Sequence, residues 1–306
     1  MSRNCFSASM NCYTWGRFNV AQCLEQLRET PIRLVELPAE QSRPGSLIPE
    51  LMLDVPLGGA WQYSLPDLKA LLARDGFDAE AVAVFGHTGY PGAEAIIKRR
   101  IDFAHTLGAE IVVLGCHHKA LAHTGAEAGA AESREATEAR AFLYAMLRDM
   151  GDYAAQRDIR IALEIHGGIT ANAAEALRTM DEVGRENVGI NFDTANILYY
   201  NDSLDTAGAA EALESLAPHV FHVHLKDIVR GKTREENVLP RLGTGEVDFR
   251  KVFDILHAVG FYGPFSFEVE TFHGATESND IGLYHEDLLA SIEYLRSLGE
   301  FEAADV

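Results

Sequence analysis

Eight short runs rich in apolar and β-branched residues take turns with eight longer segments of helical spacing along this chain. The strand-like runs fall at 5–10, 32–37, 81–86, 110–115, 160–165, 188–193, 220–225 and 265–270. Helical spacing occupies 20–29, 65–76, 93–108, 132–158, 172–184, 204–217, 249–260 and 285–299, and glycines follow several of these segments. Strict alternation of this kind predicts a parallel sheet with helical crossovers. Eight units in 306 residues predict closure into a (β/α)8 TIM barrel, a fold that takes about 250 residues plus insertions. No linker or low-complexity stretch divides the chain, so residues 1–306 read as a single domain. Residues 38–64, rich in Pro and Gly, read as a long loop after the second strand, and 120–131 as a loop after the fourth.

Composition excludes several classes. With 47% apolar residues the chain has enough mass for a large core and is not a disordered or collagen-like sequence. Lys and Arg number 26 against 46 Asp and Glu, a net charge of −20, which opposes sequence-independent binding to a phosphate backbone. Cys5, Cys12, Cys23 and Cys116 form no CxxC pair and read as free thiols in a reducing compartment. The first residues lack the continuous apolar segment of a signal peptide, and no stretch approaches 18 apolar residues. The expectation is a cytoplasmic protein with no membrane partner.

The polar residues concentrate on one face of the last four strands. Alternate residues of a strand point to opposite sides. Ala162, Glu164 and His166 therefore share a face opposite Ile161, Leu163 and Ile165. Gly189, Asn191 and Asp193 oppose Val188, Ile190 and Phe192. His222, His224 and Lys226 oppose Phe221, Val223 and Leu225, and Ser266, Glu268 and Glu270 oppose Phe265, Phe267 and Val269. In a barrel the apolar faces would pack on helices. The other faces would point inward, with ionisable groups at the C-terminal mouth where barrel enzymes place catalysis. A single Glu at a strand end is ordinarily a solvated loop residue, and one HxH strand can be a satisfied core pair. Four consecutive strands with inward charge are costly unless compensated, and a bound divalent cation would compensate them. Carboxylates with an imidazole make a mixed O/N site, suited to Mn²⁺ or Mg²⁺ first, with Co²⁺ or Zn²⁺ possible.

The ordered pieces ALEIHG (162–167), NFDTAN (191–196), HVHLKD (222–227), PRLGTGEVDF (240–249) and GPFSFEVE (263–270) resemble the xylose-isomerase-like TIM-barrel superfamily. Sugar phosphate isomerases, ketose 3-epimerases, inosose dehydratase and endonuclease IV belong to it. The first half of the chain matches only in its βα rhythm and in FGHTGYPG (85–92). The resemblance implies four ligands for one divalent cation: Glu164, Asp193, His224 and Glu268. It implies that Glu164 and Glu268 also move the proton next to a substrate carbonyl while the cation stabilises the enediolate. It implies a small sugar, keto-sugar or cyclitol substrate, and a homodimer is possible because dimers are common in the superfamily. The DTxH turn of the superfamily has Asn196 where His is common, which argues against two-metal or three-metal chemistry.

The remaining candidates carry alternatives. His166 and Lys226 complete the catalytic set with Glu164 and Glu268. His166 is an acid or base, and Lys226 binds an enediolate oxygen or merely pairs with Asp227. His222 orients His224 or fills the barrel floor, and Glu270 holds Lys226 or is a rim charge. His87, Asn196, Glu36 and Arg241 are substrate-binding candidates, although Arg241 follows a Pro in a loop and can equally be solvated. His117 and His118 point to opposite sides. Trp15 and Trp61 stack on a sugar or close the mouth, and Tyr199 and Tyr200 lie at an interface or wall the pocket. The expected function is a divalent-metal-dependent isomerase or epimerase. The alternative is a lyase of the same superfamily, either an inosose-type dehydratase or an eliminase of 3-keto-glycosides and C-glycosides. An endonuclease-IV-like phosphodiesterase is disfavoured by charge. No Gly-rich phosphate cradle is present, and no nucleic-acid partner is expected.

Overall fold

The computed structural model describes residues 3–10, 20–38, 65–84, 88–89, 92–116, 118, 120–121, 133–270 and 280–301. Eight parallel strands close into a barrel in chain order. They are β1 Phe6–Ser9, β2 Leu34–Pro38, β3 Asp78–Val84, β4 Ile111–Leu114, β5 Arg160–Glu164, β6 Val188–Asp193, β7 Val220–Leu225 and β8 Phe265–Phe267. Strand β1 pairs with both β2 and β8, which completes the closure. The helices are α1 Val20–Leu27, α2 Leu65–Asp75, α3 Ala93–Leu107, α4 Arg134–Ala155, α5 Ala173–Val183, α6 Asn196–Tyr199, α7 Thr206–Leu216, α8 Phe249–Ala258 and α9 Ile281–Leu298. The expected (β/α)8 TIM barrel is the observed fold.

Local chemistry sets the helix starts. Ser133, Asn172, Asp205 and Asp248 each accept a backbone N–H three residues on, at 2.8–3.1 Å, so α4, α5, α7 and α8 begin on a side-chain oxygen. Helix α9 starts four residues before the expected 285, because Asp280 accepts from Gly282 N–H and nucleates the turn across IGLY. Strand β3 starts three residues before the expected 81, since Asp78 and Glu80 hide it behind acidic residues.

Two register shifts set what points into the barrel. Between β2 and β3, Val35 lies opposite Ala79 and Glu36 opposite Ala81, leaving Glu80 as the extra residue. Between β6 and β7, Ile190 lies opposite Val220 and Asn191 opposite His222, leaving Phe221. Simple alternation groups Phe221 with Val223 and Leu225 on the helix-facing side. The bulge instead packs it against the inner cluster of Ala81, Ala83, Ile111, Val113 and Ala162. Gly189 makes room: a Cβ there would stand 2.6 Å from a ring carbon of Phe221 and 2.6 Å from His219 O. The outer faces of the strands join the large core under the helices, with Leu163, Ile190, Val223 and Phe267 among them. No helix among the described residues is long and apolar enough to cross a membrane.

Candidate metal centre

The C-terminal ends of β5, β6, β7 and β8 bring Glu164, Asp193, His224 and Glu268 together. One ligand atom from each lies within 4.8 Å of the others, and all four residues are buried. His224 Nδ1 stands 3.2 Å from Glu268 Oε2, 3.4 Å from Glu164 Oε1 and 3.8 Å from Asp193 Oδ2. The strand registers make this meeting, since Glu164 pairs with Asn191, Asp193 with His224, and His224 with Ser266.

Two of the carboxylates are hydrogen-bonded through one oxygen only. Asp193 Oδ1 accepts the N–H groups of Ala195 and Asn196 at 2.9 and 2.8 Å, which starts α6. Asn196 Nδ2 donates to Glu164 Oε1 at 3.2 Å. Glu164 Oε2, Asp193 Oδ2 and Glu268 Oε2 are buried and receive no hydrogen bond. Lys226 Nζ approaches two of them as an ion pair, at 3.0 Å from Asp193 Oδ2 and 2.6 Å from Glu268 Oε2, and lies 3.1 Å from Glu270 Oε1. Three buried carboxylates gathered within 4.8 Å around an imidazole, with Glu164 Oε2 lacking any partner, are a donor set that fits a hard or borderline divalent cation. The residues present therefore fit the group implied by the sequence.

The electrostatics sort the groups. Burial pushes Glu164 up to about 7, with the charges of Glu268 and Asp193 adding to it against His224. Burial likewise raises Asp193, although Lys226 opposes it. Burial also disfavours ionised Glu268, but His224 and Lys226 outweigh it and hold this carboxyl far below the usual range. Burial pulls His224 down, yet Glu268 and Glu36 raise it well above an ordinary imidazole. Lys226 is raised well above an ordinary amine, burial being overcome by Asp193, Glu268 and Glu270.

The other sequence candidates take varied places. Lys226 pairs with Asp193, Glu268 and Glu270 rather than with Asp227. Asp227 instead accepts the N–H groups of Ile228, Gly243, Gly245 and Val247, and so anchors the GTGEVDF turn. His222 fills the barrel interior, its Nδ1 3.0 Å from Asn191 Oδ1 and its Nε2 3.0 Å from Glu80 Oε1. Asn191 Nδ2 lies 3.1 Å from His224 Nδ1, so the two histidines are joined through one amide. His166 sits half-buried beside Tyr200, whose hydroxyl is 3.2 Å from Nε2. Burial and the Glu164 charge raise the Tyr200 phenol. The Arg234 guanidinium lies over the Tyr199 and Tyr200 rings at 5.4 and 5.7 Å.

Three substrate-binding candidates take the following places. Glu36 is fully buried behind His224, with its oxygens 3.1 Å from His224 Nε2. Asn196 is buried against Glu164. Arg241 is exposed in the turn before α8, its carbonyl accepting from Thr244 Oγ1. His118 Nδ1 accepts from Ala120 N–H in the turn after β4. His87, His117, Trp15, Trp61 and Cys12 lie outside the described residues. Glu80 and Ser266 escaped the sequence reading as contributors. The one acidic residue inside an apolar run, and a small polar residue on an inward face, were the available signals.

Comparison with known proteins agrees with the barrel fold. An L-ribulose 3-epimerase from Methylomonas sp. (strain DH-1) is 31% identical over 135 residues, 43% of this chain and 42% of that protein. An inosose dehydratase from Geobacillus thermodenitrificans is 30% identical over 138 residues, 40% of this chain and 45% of that protein. The chain thus matches under half the length of these relatives. A xylose isomerase-like TIM barrel protein from Mycobacterium smegmatis, solved in complex with magnesium, superposes with a TM-score of 0.67 at 18% identity. That superposition covers 97% of this chain and 99% of the other. The family model described as xylose isomerase-like TIM barrel matches residues 24–298, and this chain belongs to that family.

Proposed function

We infer that this chain is a divalent-cation-dependent enzyme that moves a proton at the carbon next to a carbonyl of a small sugar, keto-sugar or cyclitol, with isomerisation or epimerisation as the outcome. The observation that carries this reading is the meeting of Glu164, at the end of β5, and Glu268, just after β8, with ligand atoms within 4.8 Å of one another beside His224, and with Glu164 Oε2 buried and without a hydrogen bond. A proton taken on one side of a planar intermediate and returned on the other needs two carboxyl groups flanking the carbon. The magnesium in the Mycobacterium smegmatis structure, and the epimerase and dehydratase activities of the relatives, support the same chemistry.

Glu164, Asp193, His224 and Glu268 would hold the cation, Mn²⁺ or Mg²⁺ by donor type. When bound, such a cation polarises the carbonyl and stabilises charge developing on its oxygen. Glu164 and Glu268 would share the proton work, one on each side of the reacting carbon; in the metal-free chain burial raises Glu164, while His224 and Lys226 hold Glu268 low. Asn196 fixes the Glu164 carboxylate through Oε1, which leaves Oε2 to face the pocket. Lys226, between Asp193, Glu268 and Glu270, supplies a positive charge beside the reacting oxygen. Tyr200 and His166, paired at 3.2 Å, would wall the site on the β5 side.

One observation favours a lyase as second reading. The His166–Tyr200 pair adjoins Glu164, and a positioned acid there would protonate a departing β-group after the same proton abstraction. Proton NMR in D2O separates the two. The protein is incubated metal-free, with Mg²⁺, or with Mn²⁺ later chelated, against ketoses, inosose and 3-keto-glucosides. Deuterium at one carbon with an isomeric product supports epimerase or isomerase. A new enone or diketone, or a released aglycone, supports the lyase. Absence of exchange at every substrate carbon in all metal forms would contradict both.

A further inference from the structure

Glu36 is a fully buried carboxylate, and its place is set by what surrounds it. In the register, Ser9 of β1 pairs with Glu36 of β2, Ser7 pairs with Ser266 of β8, and Ser266 pairs with His224 of β7. Three serines thus occupy the inner wall between Glu36 and His224, all buried. Their small side chains leave room for a glutamate to cross the barrel. Ser266 Oγ donates to Glu36 Oε2 at 2.8 Å, and both Glu36 oxygens lie 3.1 Å from His224 Nε2.

An imidazole presents two different nitrogens, and its hydrogen-bond partners decide which one carries the proton of the neutral ring. An ionised carboxylate only accepts. Facing Nε2, it keeps the proton on that nitrogen. The other nitrogen, Nδ1, is then the one that faces Glu164, Asp193 and Glu268, beside the Asn191 amide. Glu36 Oε2 already accepts from Ser266 Oγ, so the carboxylate meets Nε2 as an acceptor.

We propose that Glu36 is a positioning residue: it fixes the orientation and the Nε2–H tautomer of His224, so that Nδ1 is the atom offered to the cation. The proposal rests on the reading of Glu164, Asp193, His224 and Glu268 as one metal centre. Carboxylate partners behind metal-binding histidines typically change cation affinity by 10–100-fold when removed. Glu36→Gln keeps the shape and removes the charge. Ser266→Ala keeps the charge and releases one carboxylate oxygen.

The test is Zn²⁺ binding to the chelator-stripped full chain, measured by competition with a chromophoric chelator, with folding checked by circular dichroism. Glu36→Gln is expected to weaken binding by about 10–100-fold, and Ser266→Ala by a smaller factor. A purely structural role would lower the thermal stability of the metal-free variants and leave Zn²⁺ affinity unchanged. Nitrogen-15 NMR of the Zn²⁺-loaded wild type, with the His224 signals assigned by their loss in His224→Gln, needs no variant of Glu36 to fold. It should show Nδ1 coordinated and Nε2 protonated, whereas coordination through Nε2 would overturn the proposal. Wild-type binding with both variants unchanged overturns the role of Glu36 alone. A wild type that binds no Zn²⁺ removes the metal centre itself, and this proposal with it.

Discussion

Glu164 makes the metal-free protein lose stability as the pH rises toward neutrality. Its carboxyl titrates at about 7 in the fold against an ordinary 4.5. The unfolded chain therefore releases this proton first, and the fold is penalised across the interval between the two values. The difference of about 2.5 units, at about 1.4 kcal/mol per unit, is about 3–4 kcal/mol lost between roughly pH 4.5 and 7. His224 acts in the same direction at higher pH. Its raised value gives stability that is complete below its ordinary 6.5 and fades as the pH climbs through the folded value. The lowered carboxyls, Glu36 and Glu268, act only below the ordinary carboxylate range, where falling pH removes their contribution. Urea unfolding of chelator-treated protein at pH 5, 6, 7 and 8, followed by circular dichroism, reads the effect directly. With a slope of about 3 kcal/mol per molar urea, the midpoint of the wild type should fall by about 1 M relative to Glu164→Gln over this range. A divalent cation at about 100 times its dissociation constant should restore about 2.7 kcal/mol at the upper end. Parallel pH profiles for wild type and Glu164→Gln would refute the reasoning.

Other expectations follow from single side chains. Glu164→Gln and Glu268→Gln should each abolish turnover while His222→Ala costs much less, as read from kcat/KM on the substrate identified by NMR; equal and mild effects would remove the two glutamates from the proton work. Asp227→Asn loses an acceptor that serves four backbone N–H groups and should destabilise the fold by about 2–3 kcal/mol, measured by urea unfolding. Gly189→Ala drives a Cβ into Phe221 and His219 O and should cost about 1–3 kcal/mol. Trimming the ring with Phe221→Leu should recover part of that loss, and an additive double variant would contradict the contact.

The barrel and the four-residue cluster were legible because both rest on period-two patterning. Runs such as RIALE and VGINFD alternate cleanly, so Glu164 and Asp193 fall on the inward face by counting. His224 and Glu268 follow from the same count on the two strands after them. Counting fails where the count changes. Phe221 and Glu80 are each the extra residue of a bulge, and nothing in their own neighbourhoods announces a register shift in a strand partner. Glu36 was visible as a polar strand end, but its engagement with His224 spans 188 positions of sequence and depends on three serines leaving space between them. Asn196 was singled out as the residue replacing a common His. That its amide would turn back onto Glu164 follows from the short helix α6, which Asp193 itself starts.

Anomalous diffraction from crystals grown with Mn²⁺, recorded at the manganese edge, tests the central claim most directly. The account predicts one strong peak in the barrel mouth, in contact with a carboxylate oxygen of each of Glu164, Asp193 and Glu268 and with His224 Nδ1. No peak there, or a peak held by other residues while these four keep their present contacts, would contradict it.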